Sequence, residues 1–433
     1  MFLSISSTVG AMNLIGKLRA ASQLRSILGS TSKREFANIS NSTFSSIDIE
    51  LSTNRGTLPP ADKLVFGKIF TDHMARVDWQ LDEEEVMKSR SVNDEDQKDS
   101  LMYSGWGVPK VMPFGKIDIH PASQCLHYGS EIFEGMKAYR SEKDDTVALF
   151  RPDLNAKRLR HSARSLGLPY VPEDSLIQLI KQVVSVDHSW VPSSPGCSLY
   201  IRPFIFGTSA SAGLTTTTSA SLMILLSPVG RYFKEGLKPI SLLLDDKHVR
   251  AWPGGVGHAK AGGNYAPTLK YQGDAMLEFG CSQVLYALPK GDDENESVIS
   301  EAGAMNVFIL IEKEDGGKEL VTAPLDGTIL PGVTRQSVID ICKDWKEFEV
   351  SERLMTVREL KTCAKEGRLL EIFGCGTAVL ICPVNEIKLR SGDEIRLQFD
   401  ASDDSMISNR VLTKIEDIQY GRIEGHPWNV KVQ

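Results

Sequence analysis

Residues His248–Thr268 read HVRAWPGGVGHAKAGGNYAPT, with a single lysine, Lys260, set among small residues. Its neighbours on both sides are Gly254, Gly255, Gly257, Ala259, Ala261, Gly262 and Gly263. Small neighbours let a bulky planar group come close to the backbone, and glycine opens backbone angles closed to other residues. A lysine that condenses with a carbonyl compound needs its amine neutral part of the time, which burial or a nearby cation provides. Taken alone, the stretch reads more simply as a surface lysine in a glycine-rich turn. Three stretches further along the chain shift that balance.

In SEAGAMNVF, Ser300–Phe308, Glu301 stands just ahead of the apolar run Val307–Ile311, at a strand start. A carboxylate there suits a pyridine nitrogen that must stay protonated, although a glutamate in a turn is more commonly solvated. LPGVTRQS, Leu330–Ser337, is a Pro-Gly turn feeding a helix. The amides of such a helix start, here Val333 and Thr334, suit a phosphate, though an ordinary helix cap looks the same. FGCGTAVLICPV, Phe373–Val384, adds a second tight glycine turn with the Thr377 hydroxyl available to the same anion.

The order K…GGNY, SE.G..N.F, LPG.TR, GTA…PV resembles the fold-type IV pyridoxal-phosphate enzymes, the branched-chain aminotransferase group among them. Upstream, LVFGKIFTDHM (Leu64–Met74), HPASQCLHYGSEIFEGMKAY (His120–Tyr139), LFRPDLNAKRLRHSA (Leu149–Ala163) and SLYIRPFIFGT (Ser198–Thr208) are similar to its animal-type members. The resemblance runs from about Leu64 to the C-terminus. It implies a mixed α/β (α+β) chain with the two-domain fold-type IV aminotransferase fold. It implies pyridoxal 5'-phosphate as cofactor, with Lys260 as both the Schiff-base lysine and the proton shuttle. Glu301 would pair with the pyridine nitrogen and Tyr265 with the phenolate oxygen. Arg158, Val333, Thr334 and Thr377 would hold the phosphate, arginine through bidentate bonds.

The same resemblance places Phe133, Tyr128 and Leu214 around the substrate side chain, and Ala378 with Thr377 near the substrate carboxylate. Tyr128, Tyr200 and Arg202 would give the distal carboxylate of glutamate a polar exit; for Arg202 the plain alternative is a salt-bridged strand residue. Similar enzymes take Tyr128 and Leu214 from the neighbouring subunit, which implies a homodimer. The implied reaction moves the amino group of L-leucine, L-isoleucine or L-valine to 2-oxoglutarate. D-amino-acid aminotransferases and aminodeoxychorismate lyases of this fold share the lysine and phosphate elements but lack the HYG.E.FEGMKA and FGK.FTDHM stretches. A non-catalytic pyridoxal-phosphate-binding protein is the alternative of another class. Two departures stand out: Ala304 where similar enzymes often carry threonine, and Val379 where some have the first cysteine of a CxxC ending at Cys382.

The bulk of the chain agrees with a soluble two-domain enzyme. It has 433 residues, 41% hydrophobic and 24% charged, and a net charge of −7, which argues against a nucleic-acid footprint. Its most apolar run, Ala220–Val229, is strand-sized and short of the roughly 20 residues that span a bilayer. Seven cysteines, odd in number and without a CxxC, read as buried thiols in a reducing compartment, with Cys375 and Cys382 the closest pair and the one that could join under oxidation. Before Glu35 the chain is basic (Lys17, Arg19, Arg25, Lys33, Arg34), serine-rich and free of acid. That is the composition of an organelle transit peptide, here mitochondrial, with the cytoplasm as the alternative site.

Residues 1–46 are therefore set apart as leader and linker, 47–228 as a small domain, 229–238 as a connection, and 239–433 as the larger cofactor domain. Helices are expected after Pro152, over Glu173–Val186, and after LPG with Val338, Ile341 and Trp345 in a stripe. Strands are expected at Leu199–Phe206, Leu222–Val229, Ile240–Leu244, Gln283–Leu288, Val307–Glu312 and Leu369–Phe373. Asp82–Ser100 reads as a solvated charged excursion, and Gly291–Glu296 and Glu312–Glu319 as loops or hairpin tips.

Overall fold

A computed structural model describes residues 44–93, 102–231, 237–291, 293–400 and 402–432. The expected leader before residue 44 and the centre of the expected connection, 232–236, lie outside the described residues, as do 94–100 of the acidic stretch. Two nine-stranded sheets organise the rest.

The first sheet runs, in hydrogen-bonded order, through Asp48–Ile49, Lys110–Pro113, His73–Gln80, Ser219–Val229, Ser198–Gly207, Met136–Arg140, Val147–Phe150 and Asn429–Lys431; Glu131–Phe133 also pairs with Ser198–Gly207. Side chains alternate across a strand. One face gathers Val77 and Trp79, Leu222 and Ile224, Leu199 and Ile201, and Ala138 into a core. Of the helices α1 (Glu83–Ser91), α2 (Gln124–Tyr128), α3 (Pro152–Leu166) and α4 (Glu173–Val186), the last two cover that face. α4 buries Leu176, Leu179, Ile180, Val183 and Val184, the stripe expected from its spacing, and α3 buries Ala156, Leu159 and Ala163. Pro152 opens α3, where its fixed φ fits and its missing N–H costs nothing, and Gly167 closes it at φ 64°.

The second sheet runs Val298–Ala302, Gln283–Leu288, Ile240–Asp245, Leu380–Leu389, Leu369–Gly376, Met305–Glu312, Lys318–Thr322 and Glu349–Glu352, with Glu394–Arg396 on Leu380–Leu389. Pairing of Glu301 with Asn306 and of Ala302 with Met305 joins the first strand to the sixth, closing a barrel. Val307, Ile309 and Ile311 share one core with Leu242, Leu244, Ile372 and Ile387. The alternate residues Phe308, Leu310 and Phe373 face outward, against α6 (Val333–Trp345) and α8 (Ile407–Gln419). α5 (Thr268–Phe279) packs Ala275 on Leu243 and Tyr286, and α7 (Val357–Lys365) packs Val357 and Leu360 into the barrel core.

Three expectations need correction. The acidic stretch is not all solvated excursion: Glu83–Ser91 forms α1, started by a capping box between Asp82 and Glu85, with Val86 in the first core. Its apolar anchor is a single valine among acids, too little for a periodic signal. Sheet membership also does not follow the chain to its end, because Asn429–Lys431 returns to pair with Val147–Phe150 of the first sheet. Lastly, Cys375 and Cys382 are not placed to pair: Cys375 opposes Ile381 and Cys382 opposes Gly374, so the two thiols point to opposite faces.

Candidate active site

The Lys260 segment leaves the barrel strand Ile240–Asp245 and is tied down against the first sheet. Phe133 N–H donates to the Lys260 carbonyl at 3.0 Å, and Ile132 bridges Ala261. From the other side, the Lys260 N–H donates to Ser162 Oγ of α3 at 2.9 Å. Gly262 leaves room here for the Glu131 carboxylate, which would have to shift for a Cβ. So held, Lys260 is half-buried and its Nζ lies 3.2 Å from the Tyr265 hydroxyl. Burial lowers its amine below the ordinary lysine range, with the Arg158 charge adding to the effect and Tyr265 and Glu134 opposing it.

Around Nζ lies a cavity of about 540 Å3, a size suited to a cofactor with a small substrate. Its lining includes Lys260, Arg158, Tyr265, Val333, Thr334, Thr377, Ala378, Phe133, Tyr200 and Arg202, all singled out from sequence. Phe133 and Tyr265 rings meet at 5.2 Å, and the Arg202 guanidinium lies over the Phe133 ring at 4.7 Å while donating to Tyr200 Oη at 2.7 Å. Arg202 thus sits at an aromatic wall and, among the described residues, makes no salt bridge. The cavity is also lined by Phe66, whose ring packs on Tyr200 at 4.8 Å and which sequence reading left out.

Arg158 reaches the cavity from α3. Its Nε and Nη2 donate to the two oxygens of Glu134 at 2.7 and 2.9 Å, and Nη1 donates to the Pro331 carbonyl at 3.1 Å. Glu134, fully buried, also accepts from Asn155 Nδ2 at 2.7 Å. Burial works against the guanidinium charge, but the Glu134 carboxylate more than offsets it and holds Arg158 above the usual arginine range. Glu134 was missed from sequence although it follows Phe133 directly. The signal available was helical: Asn155, Arg158 and Ser162 fall at i, i+3 and i+7 on one face of α3, a polar stripe beside an apolar one.

Glu301 lies one layer behind the lining. Its Oε1 accepts from Asn306 Nδ2 at 2.9 Å and Leu330 N–H at 3.3 Å, both residues of the cavity wall. Its Oε2 contacts the Arg250 guanidinium but makes no aligned hydrogen bond. Burial raises the Glu301 carboxyl above the usual range, with Arg250 as the main opposing charge. Arg250, itself buried, was also missed, because nothing in HVRAW marks it as facing a carboxylate 51 residues away.

Tyr128 and Leu214 are not brought to this cavity. They are 43% and 80% exposed, and Tyr128 Oη donates to the Ala212 carbonyl at 2.6 Å, tying the end of α2 to the loop that carries Leu214.

The family model of the class IV amino-transferases matches residues 131–387. A branched-chain-amino-acid aminotransferase of Monosiga brevicollis is 40% identical over 95% of this chain and 98% of its own length. The mitochondrial branched-chain-amino-acid aminotransferase of Rattus norvegicus is 41% identical over 90% of this chain and 93% of its own, and the cytosolic one of Mus musculus 42% over 86% and 89%. Among solved structures, the branched-chain aminotransferase of Thermoproteus uzoniensis with norvaline has a TM-score of 0.60 at 25% identity, covering 75% of this chain and 97% of that one.

Removing the carboxylate that carries Arg158 leaves an unpaired buried guanidinium, so Glu134→Ala should lower stability by about 3–5 kcal/mol. Glu134→Gln, which keeps one acceptor, should lose less. Thermal unfolding of both variants checks the order, and equal loss in the two would show that the charge pair contributes nothing beyond shape.

Proposed function

The chain belongs to the class IV aminotransferases, and from that premise we propose the reaction it performs: transfer of the amino group of L-leucine, L-isoleucine or L-valine to 2-oxoglutarate, giving the branched-chain 2-oxo acids and L-glutamate. The relatives named for that activity align with nearly the whole chain. The observation that carries the reading at the site is one amine, Lys260 Nζ, depressed by burial and set beside a tyrosine hydroxyl in a cavity with an anion-binding wall.

The cofactor is pyridoxal 5'-phosphate, and the residues present fit it. The first turn of α6, the Thr377 hydroxyl and Arg158 line one cavity as donors for a phosphate. Glu301 Oε2, buried and without an aligned donor, suits a protonated ring nitrogen. When bound, the cofactor supplies an electron-accepting ring and carries the amino group between the two half-reactions. Lys260 takes the proton from the substrate α-carbon at Nζ and returns it, a task for an amine whose pKa lies below the ordinary lysine range. Tyr265 Oη accepts from Nζ and keeps the amine oriented. Phe133 offers the aliphatic side chain an apolar wall, and since one methylene is worth only about 1–3 kcal/mol, leucine, isoleucine and valine are all accepted. Arg202 and Tyr200, next to that wall, answer the distal carboxylate of glutamate.

The active form in this reading is a homodimer. Exposed Leu126, Tyr128 and Leu214 form an apolar surface with no role in the chain's own cavity, and each subunit's Tyr128 and Leu214 complete the partner's site. Residues 47–228 and 239–433 act as its two domains, the sheets dividing near the connection 229–238, apart from the returning strand Asn429–Lys431. The acid-free basic segment before Glu35 directs the chain to the mitochondrial matrix.

Purified holoenzyme should lose its visible absorbance on addition of L-leucine and regain it with 2-oxoglutarate, and Lys260→Ala should do neither while remaining folded. Borohydride reduction and peptide mapping that trap the cofactor on another residue would refute the assignment. Co-expression of Lys260→Ala with a Tyr128→Ala, Leu214→Asp chain should restore activity that each lacks alone, since a mixed dimer has one intact site; no restoration argues that the loops act within their own subunit. Residues 1–34 fused to a fluorescent reporter should carry it to mitochondria, and a diffuse cytosolic signal would contradict the matrix reading.

A further inference from the structure

Behind the turn that joins Leu369–Gly376 to Leu380–Leu389 lies a buried lysine with no part in the chemistry above. Lys137, in the strand Met136–Arg140, is 8% exposed, and its Nζ donates to the carbonyl oxygen of Ala378 at 3.1 Å. It is not part of the cavity lining, whereas Gly376, Thr377, Ala378 and Val379 all are. Among the described residues no carboxylate lies within ion-pair distance of Nζ. Burial lowers its ammonium to about 8, and Glu416 of α8 offsets this only in part. A buried cation without a partner is costly, and a fold that keeps one uses its charge or its hydrogen bond.

The turn shows what that bond does. A peptide unit is planar and trans, so its C=O and the next residue's N–H point in opposite directions. The bond ties the Ala378 carbonyl to a side chain outside the cavity lining, and the Val379 N–H of the same peptide unit points the opposite way. The amides of Thr377, Ala378 and Val379 donate to no protein acceptor among the described residues. Leu380 follows at φ 58°, a left-handed angle that closes the turn. Successive free N–H groups in a tight turn make a concave site for an anion.

We propose that Lys137 is a positioning residue for the substrate's α-carboxylate: it fixes the Ala378 carbonyl, and with it the opposed Val379 amide of the turn 377–379, and places a positive charge behind that turn. The assignment rests on the transaminase reading above and adds to it a residue that touches neither substrate nor cofactor. Because the α-carboxylate is common to both half-reactions, Lys137 serves leucine and glutamate alike, unlike Arg202, which answers only a distal charge.

The test compares holoenzymes of the wild type, Lys137→Met, Lys137→Gln and Lys137→Arg. Two probes share the leucine side chain and differ in one group: 4-methylpentanoate keeps the carboxylate, and 3-methylbutylamine lacks it. Lys137→Met should weaken 4-methylpentanoate binding and raise the KM for L-leucine roughly ten- to hundredfold, the loss expected for a hydrogen bond involving a charge. Its kcat should stay within about threefold of wild type, as for a lost binding contact made equally in ground and transition states. The rate of spectral change with 3-methylbutylamine should not alter. Lys137→Arg should recover most of the affinity and Lys137→Gln, which donates without charge, a part of it. Should Lys137→Met fail to fold, the Gln and Arg variants carry the same comparison. Equal losses for the two probes, or a fall in kcat at unchanged KM, would overturn the role of Lys137. A wild-type protein unable to transaminate L-leucine would instead overturn the reading of function on which it rests.

Discussion

A fully buried carboxylate, Glu134, takes the Nε–Nη2 edge of the Arg158 guanidinium with both its oxygens, and the geometry around Lys260 is organised about that pair. The pair spans the loop after Phe133 and α3, while the third arm of Arg158 holds the Pro331 carbonyl at the entry to α6. One side chain therefore fixes the relation between a helix over the first sheet and the turn that starts a helix on the barrel. An isolated buried guanidinium would be intolerable, and an isolated carboxylate equally so; together, with Asn155 as a further donor to Glu134 Oε2, they make a rigid buried ion pair. Arg158 of that pair adds to the burial that depresses the Lys260 amine, while Glu134 opposes it, so structural and chemical roles meet there.

The barrel contributes in a different way. Its closing pair, Glu301 opposite Asn306, sets a carboxylate in the wall at a point where the strand Val298–Ala302 meets Met305–Glu312. Asn306 then satisfies one oxygen and the Leu330 carbonyl together, and Gly332 leaves room for it, since a Cβ there would strike the asparagine oxygen. Thus Glu301 and the segment Leu330–Gly332 that leads into α6 are braced by one amide side chain. Cys375 and Cys382 stand close by as small apolar fillers: burial pushes the Cys382 thiol up to about 12 and the Cys375 thiol up as well, which leaves little reactive thiolate.

Much of the site was legible in the residues because its parts are local. Lys260 among glycines, Pro331-Gly332 before a helix and the Gly376-Thr377 turn each depend on a few adjacent residues and their backbone angles. α3, α4 and α6 were legible for the same reason, their apolar spacing being repeated over three or four turns. α1 was not, since Val86 is its one core contact amid acids. Glu134, Arg250 and Lys137 escaped because each is a charge whose partner lies far along the chain: Arg158 24 residues on, Glu301 51 residues on, and Ala378 241 residues on. A lone charged residue in an apolar strand looks the same whether its partner is water or protein.

The chemistry and the family were thus written into the order of short motifs, each encoding its own turn, helix start or reactive side chain. Which charges are buried, which carbonyl a buried lysine holds, and why Tyr128 and Leu214 end on the outside instead of at their own chain's Lys260 required the folded chain. Those features come from strand register and sheet closure, where pairing across hundreds of residues determines the face on which a side chain lands. A shift of one residue in such a register sends every side chain to the opposite side, and no local spacing reports it.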